Sequence, residues 1–93
     1  SIPYAVAKAA LHHMSKLLAL TLGPAIRVNA VAPGLVDTAM STGWEAAYEL
    51  WNTKSPMRRP AQPADIADMV AALIANPYVT GEVVIVDGGL NLT

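Results

Sequence analysis

Two short β-branched segments with one amphipathic helix between them constrain this chain more than any other feature. Ile26-Arg27-Val28-Asn29-Ala30-Val31 alternates with period two, and Val83-Val84-Ile85-Val86 is a continuous apolar run of the kind found in parallel strands covered on both faces. Between them Ile66, Met69, Val70, Leu73 and Ile74 recur at i, i+3, i+4, i+7 and i+8, the spacing of one helical face. Gln62-Pro63-Ala64-Asp65 starts that helix, with proline at the first helical position and an acid near the N-terminal dipole, and Asn76-Pro77 ends it. Strand, helix and strand in one sheet require parallel pairing through a right-handed crossover. Two parallel strands can neither satisfy both edges nor cover their helices, so further strands are expected outside these 93 residues.

The flanking segments complete the order helix, strand, loop-helix, helix, strand. Residues 4 to 22 are rich in Ala, Leu, Lys and Met and predict a helix that stops at Gly23-Pro24. Its apolar residues spread over most of the circumference, which predicts burial on more than one side. Pro33-Gly34 closes the first strand. Residues 35 to 60 form a long excursion with a helix inside it, for which Ser41 or Thr42 is the expected cap. Trp44, Ala47, Tyr48 and Trp51 fall at i, i+3, i+4 and i+7 and predict an aromatic face. Thr80-Gly81 and Asp87-Gly88-Gly89 are turns on either side of the last strand.

Composition narrows the partners. With 54% hydrophobic and 14% charged residues and a mean hydropathy of +0.39, the chain is apolar for a small domain, whose surface fraction is large. Much of that apolar surface is expected to meet something outside these 93 residues. A net charge of -1 and scattered Lys and Arg give no footprint for nucleic acid. The absence of cysteine excludes disulfides and thiolate metal sites and fits the cytoplasm, and no metal site is expected. Lys8, His12, His13 and Lys16 in the most apolar helix argue against a membrane span, which needs about 20 apolar residues. No signal peptide is recognisable at the start.

The chemistry concentrates in Tyr4 and Lys8, at i and i+4 on one helical face. A phenol beside a cation is a candidate proton-transfer group, because the cation favours the phenolate. One exposed lysine is too weak for that task, so a buried site with further help is expected. His12-His13 point in different directions on a helix and read as packing. Arg58-Arg59 reads as a salt bridge, Asp65 and Asp68 as helix-start acids, and Asp87 as a turn residue.

Four segments in register, Tyr4-Ala-Val-Ala-Lys8, Ile26-Arg-Val-Asn-Ala-Val-Ala-Pro-Gly34, Tyr78-Val-Thr-Gly81 and Val86-Asp-Gly-Gly89, resemble the C-terminal part of a short-chain dehydrogenase/reductase of the 3-oxoacyl-acyl carrier protein reductase kind. The resemblance covers essentially the whole chain. It implies an α/β, doubly wound Rossmann-type parallel sheet and NAD or NADP as cofactor. Tyr4 is then the general acid/base for hydride transfer to or from a small alcohol or carbonyl, assisted by Lys8, which also bonds the nicotinamide ribose. Pro33-Gly34 places backbone beside the nicotinamide, where a missing side chain permits close approach, and Val36 and Thr38 hold the carboxamide. Residues 37 to 60 match the variable substrate loop, so Trp44, Tyr48 and Trp51 are candidate substrate contacts. A homodimer or homotetramer through the helix of Tyr4 and Lys8 is also implied.

Departures from the family pattern are equally informative. The six glycines, at 23, 34, 43, 81, 88 and 89, form no GxGxxG phosphate loop. The serine and asparagine that family members carry before the tyrosine would lie upstream of Ser1. Residues 1–93 are therefore expected to be the C-terminal part of one NAD(P)-binding domain within a longer polypeptide, inactive alone. The alternative is a truncated, non-catalytic family member that acts as an assembly module.

Overall fold

The computed structural model describes all 93 residues. Its elements are α1 (Ile2–Leu22), β1 (Ala30–Pro33), α2 (Glu45–Lys54), α3 (Pro63–Ala75) and β2 (Val83–Val86), with single 3-10 turns at Ala39–Ser41 and Leu90–Leu92. β1 and β2 pair directly, and both Ala30 N→Glu82 O (2.9 Å) and Gly34 N→Val86 O (3.0 Å) run in one sense along the chain, so the pair is parallel as expected. Even-numbered β1 residues face β2. Val31 and Pro33 therefore direct their backbone polar groups away from it, and the proline's missing N–H costs no bond of this pair.

The chain forms two compact units, Ser1–Ala30 with Leu73–Val84 and Val31–Ala72 with Ile85–Thr93. In the first, α1 begins two residues earlier than the composition suggests, because the Ser1 hydroxyl accepts the Tyr4 amide (3.2 Å) as N-cap. The helix ends at Gly23, whose amide bonds Ala19 O (3.2 Å). Ser15 and Ala19 are its buried residues, and Lys16 Nζ reaches Gly81 O (3.2 Å). Val6, Leu17 and Leu20 remain 61%, 50% and 83% exposed, so the apolar circumference is not covered within the chain.

The first strand is shorter and later than its alternation predicts, for a local reason. Residues 27 to 29 bond a distant turn, chiefly through side chains, instead of joining a ladder. Val28 N donates to Thr80 Oγ1 (3.1 Å), Gly81 N to Val28 O (2.8 Å), and the Asn29 amide joins Val79 O (2.9 Å) to Glu82 N (3.1 Å). The Arg27 guanidinium donates to Leu73 O (2.8 Å), Ile74 O (2.9 Å) and Val79 O (3.3 Å), satisfying carbonyls that the end of α3 leaves open.

In the second unit, Gly34 to Thr38 runs beside Ala61 in a parallel bridge, with Asp37 N→Ala61 O and Ala61 N→Leu35 O both 2.8 Å. α3 starts at Pro63 as expected, and Asp65 Oδ2 reaches back to the Gln62 amide (2.7 Å) in the manner of a capping box. α2 is not capped by Ser41 or Thr42. Its N-cap is Trp44, without a side-chain bond, because the Ser41 hydroxyl is committed elsewhere. At the other end Ser55, fully buried, donates to Trp51 O (2.7 Å) and accepts the Arg58 amide (3.0 Å). Asp87 is a turn residue, its carboxylate accepting the amides of Gly89 and Asn91 (2.9 Å each). Gly89 has φ 88°, and a Cβ there would lie 2.8 Å from Pro56, so glycine is required twice over.

Candidate active site

Tyr4 and Lys8 are brought together in the first unit. One turn apart on α1, they place Lys8 Nζ 5.4 Å from the Tyr4 ring centroid, a cation over an aromatic face. The Tyr4 residue is 64% exposed, so the burial that proton transfer calls for does not come from within the chain. His12 and His13 diverge around the same helix, and no group of three or more His, Asp or Glu is placed to hold a metal.

Pro33, Gly34, Val36 and Thr38 belong to the second unit. The bridge to Ala61 uses the carbonyl of Leu35 and the amide of Asp37, so Val36 turns its own N–H and C=O to the opposite side. There its carbonyl lies 3.0 Å from Ser41 Oγ, and its amide has no acceptor within the chain. Thr38 is exposed, and its amide donates to Ser41 Oγ (3.1 Å). At Gly34 the missing side chain serves packing inside the protein. A Cβ there would meet Trp51 Cζ2 at 2.7 Å and Asp87 Cβ at 2.9 Å.

The three aromatics of α2 and its cap have different surroundings. Trp51 lies against Gly34 and its indole N–H donates to Asp87 O (3.1 Å). Tyr48 donates its hydroxyl proton to Asp37 Oδ1 (2.7 Å) and stands 2.7 Å from Ser41 Oγ. Trp44 is 51% exposed. The Ser41 bond, the largest single influence on the Tyr48 phenol, lowers its pKa, but the hydrogen bond to Asp37, burial and the Asp37 charge together hold it above the ordinary value.

Spacing does not mark Ser41, Asp37 and Asp87 as residues that support this site. Their contacts join loop positions with no common period, and the one local signal is Ser41 placed three residues after Thr38. Of Arg58 and Arg59, for which a salt bridge is expected, Arg59 forms one, to Asp65 (2.8 Å). The hydrogen bond from Arg59 and then that from the Gln62 amide hold the Asp65 carboxyl below its ordinary value. This pair borders an open depression of about 220 Å³ that also touches Met57, Ala61, Val86 and Gly88. None of the expected catalytic residues lines it.

Parallel pairing of β1 and β2 across α3, with α1 preceding, is the arrangement of the last part of a doubly wound Rossmann-type sheet. Residues 1–91 match the family described as Enoyl-(Acyl carrier protein) reductase. The Bacillus subtilis protein named short-chain dehydrogenase/reductase homolog YusR is 38% identical over 99% of this chain and 71% of its own length. Carbonyl reductase family member 4 of Danio rerio is 40% identical over 96% of this chain and 37% of its own length. A solved small-chain dehydrogenase in complex with NADPH superposes with a TM-score of 0.83 at 38% identity, over 91% of this chain and 41% of that one. This chain belongs to the short-chain dehydrogenase/reductase family. It spans well under half the length of the carbonyl reductase and of the NADPH complex. No helix is long and apolar enough to cross a membrane.

Proposed function

We propose that these residues form the C-terminal part of a single NAD(P)-binding domain in an oxidoreductase that interconverts a small alcohol and its carbonyl compound. When bound, the nicotinamide cofactor supplies or accepts the hydride. In the reducing direction Tyr4 Oη gives its proton to the substrate oxygen as the carbonyl carbon gains the hydride. Lys8, one turn along α1, stabilises the phenolate left behind until solvent returns the proton. In the oxidising direction the same phenolate removes the alcohol proton.

Support for a nicotinamide comes from the Val36 amide, which has no acceptor within the chain and lies two residues from an exposed threonine hydroxyl. An N–H donor and a hydroxyl acceptor are the set a carboxamide requires. Lys8 holds the ribose and Pro33-Gly34 the backbone beside the ring. Trp44, exposed ahead of α2, is the aromatic with a ring free to meet substrate, and Tyr48 and Trp51 shape the wall behind it. The protein works in the cytoplasm as a homodimer or homotetramer.

The observation that carries this function is the Tyr4–Lys8 pair on one open face of α1 in a chain of this family. Tyr4→Phe in the full-length protein tests it. Turnover is expected to fall by about 10²–10⁴-fold with the fold unchanged by circular dichroism, and near-parental turnover would refute the mechanism. The uncovered apolar residues of α1, Val6, Leu17 and Leu20, favour a second reading as a non-catalytic assembly module. Titration of the full-length protein with NADH and NADPH separates the two, because an assembly module binds neither.

A further inference from the structure

We infer that Tyr48 is a positioning residue for the cofactor, acting through Asp37 and Ser41 without touching the cofactor itself. This rests on the assignment of Val36 and Thr38 to the nicotinamide carboxamide.

The Val36–Thr38 segment is held from two sides. Ala61 bonds it through Leu35 O and Asp37 N on one side (2.8 Å each). On the other, Ser41 Oγ accepts from Thr38 N (3.1 Å) and lies 3.0 Å from both Val36 O and Thr38 O. The serine residue is 1% exposed, so no water replaces a lost partner there at low cost. A serine hydroxyl carries one proton, which it can give to only one of these oxygens or to Tyr48 Oη at 2.7 Å.

Tyr48 resolves that choice. Its own proton goes to Asp37 Oδ1 (2.7 Å), so its oxygen is left as an acceptor beside Ser41. One phenol from the second turn of α2 thereby engages both the side chain of Asp37, inside the segment, and the serine that holds the segment's backbone. Without the hydroxyl, the Asp37 carboxylate keeps only the longer contact from Gln62 Nε2 (3.4 Å), and the Ser41 proton is shared between Val36 O and Thr38 O (3.0 Å each), so Tyr48 no longer fixes its direction. Thr38 and the Val36 amide then lose their fixed direction. The polar atom of Tyr48 is engaged by this network, which explains why an aromatic on the substrate loop should govern cofactor affinity.

Tyr48→Phe keeps the ring and removes only the hydroxyl, and Asp37→Ala removes its partner from the other end. In the full-length protein, NADPH affinity is measured by fluorescence titration, exchange of the Thr38 amide proton is measured without cofactor, and steady-state kinetics give KM for NADPH and for the carbonyl substrate. Each variant is expected to weaken NADPH binding about fivefold to tenfold and to speed Thr38 exchange by a similar factor, as for loss of one buried hydrogen bond. The KM for the carbonyl substrate should change less than that for NADPH, because Tyr48→Phe keeps the ring that shapes the substrate wall, and the double variant should be no worse than either single one. Unchanged Thr38 exchange, or a raised substrate KM with unaltered NADPH binding, overturns the role of Tyr48. Failure of the parent protein to bind NADPH or NADH overturns the nicotinamide assignment, while Thr38 exchange still reports on the network.

Discussion

Trp51 occupies the space that a side chain at Gly34 would need, with its Cζ2 2.7 Å from where a Cβ would stand. The relationship ties the end of β1 to α2, and Asp87 closes it from the far side with its own Cβ 2.9 Å from the same point. Trp51 also donates to Asp87 O (3.1 Å), so one indole meets both turns.

Gly34→Ala should therefore destabilise by overpacking, by about 1–3 kcal/mol. Urea denaturation of the full-length protein measures it. Trp51→Leu in the same chain should recover part of the loss, since it removes the contact that an added methyl group violates. Additive losses in the double variant would show that the strain lies elsewhere.

Arg27 presents a second long-range tie. Its guanidinium meets three carbonyls, of Leu73, Ile74 and Val79. A lysine carries its three donors on one nitrogen and lacks the planar fork by which Arg27 reaches these carbonyls from two nitrogens. Arg27→Lys should cost about 2 kcal/mol and Arg27→Ala at least as much, read as a lowered urea midpoint, with faster amide exchange confined to the end of α3 and the 76–82 turn.

What was legible in the sequence was what is local or periodic. The i, i+4 relation of Tyr4 and Lys8, the helix starting at Pro63 and the parallel pairing of two apolar strands all follow from spacing, and the structure has them. The strand boundary at residue 26 was misplaced because alternation cannot tell a ladder from a segment whose amides and side chains bond a turn far along the chain, as Val28 and Asn29 do with Thr80, Val79 and Glu82. The Ser41 cap failed for a related reason. A serine before a helix is a cap only if its hydroxyl is free, and this one is taken by Val36, Thr38 and Tyr48. The surroundings of Trp51 depend on Gly34 and Asp87, neither of which shares a period with it.

The Arg59–Asp65 pair gives a pH dependence with a definite sign. The Asp65 carboxyl lies below its ordinary value in the folded protein, chiefly through the Arg59 bond. Its stabilising effect is therefore present above the ordinary carboxylate range and lost as pH falls through the lower folded value. Asp65→Asn should lower Tm slightly at neutral pH, and the gap should close in acid and shrink in high salt, because the pair is exposed. A gap that widened in acid would contradict this ionisation sign.

Tyr48 supplies the complementary case at alkaline pH. Its phenol is held above the ordinary value, so the network favours the neutral form, and that stabilisation is complete below pH of about 10 and lost as pH rises through the higher folded value. The ultraviolet difference titration of the parent protein against Tyr48→Phe isolates this one phenol. Its midpoint should lie above that of an exposed tyrosine. Two further substitutions give opposite signs. Ser41→Ala removes the largest influence that lowers the phenol and should move the midpoint higher still. Asp37→Asn removes the charge that raises it and should move the midpoint down. Parallel shifts in the two variants would mean that loosening of α2, and not the Ser41 and Asp37 bonds, sets the ionisation of Tyr48.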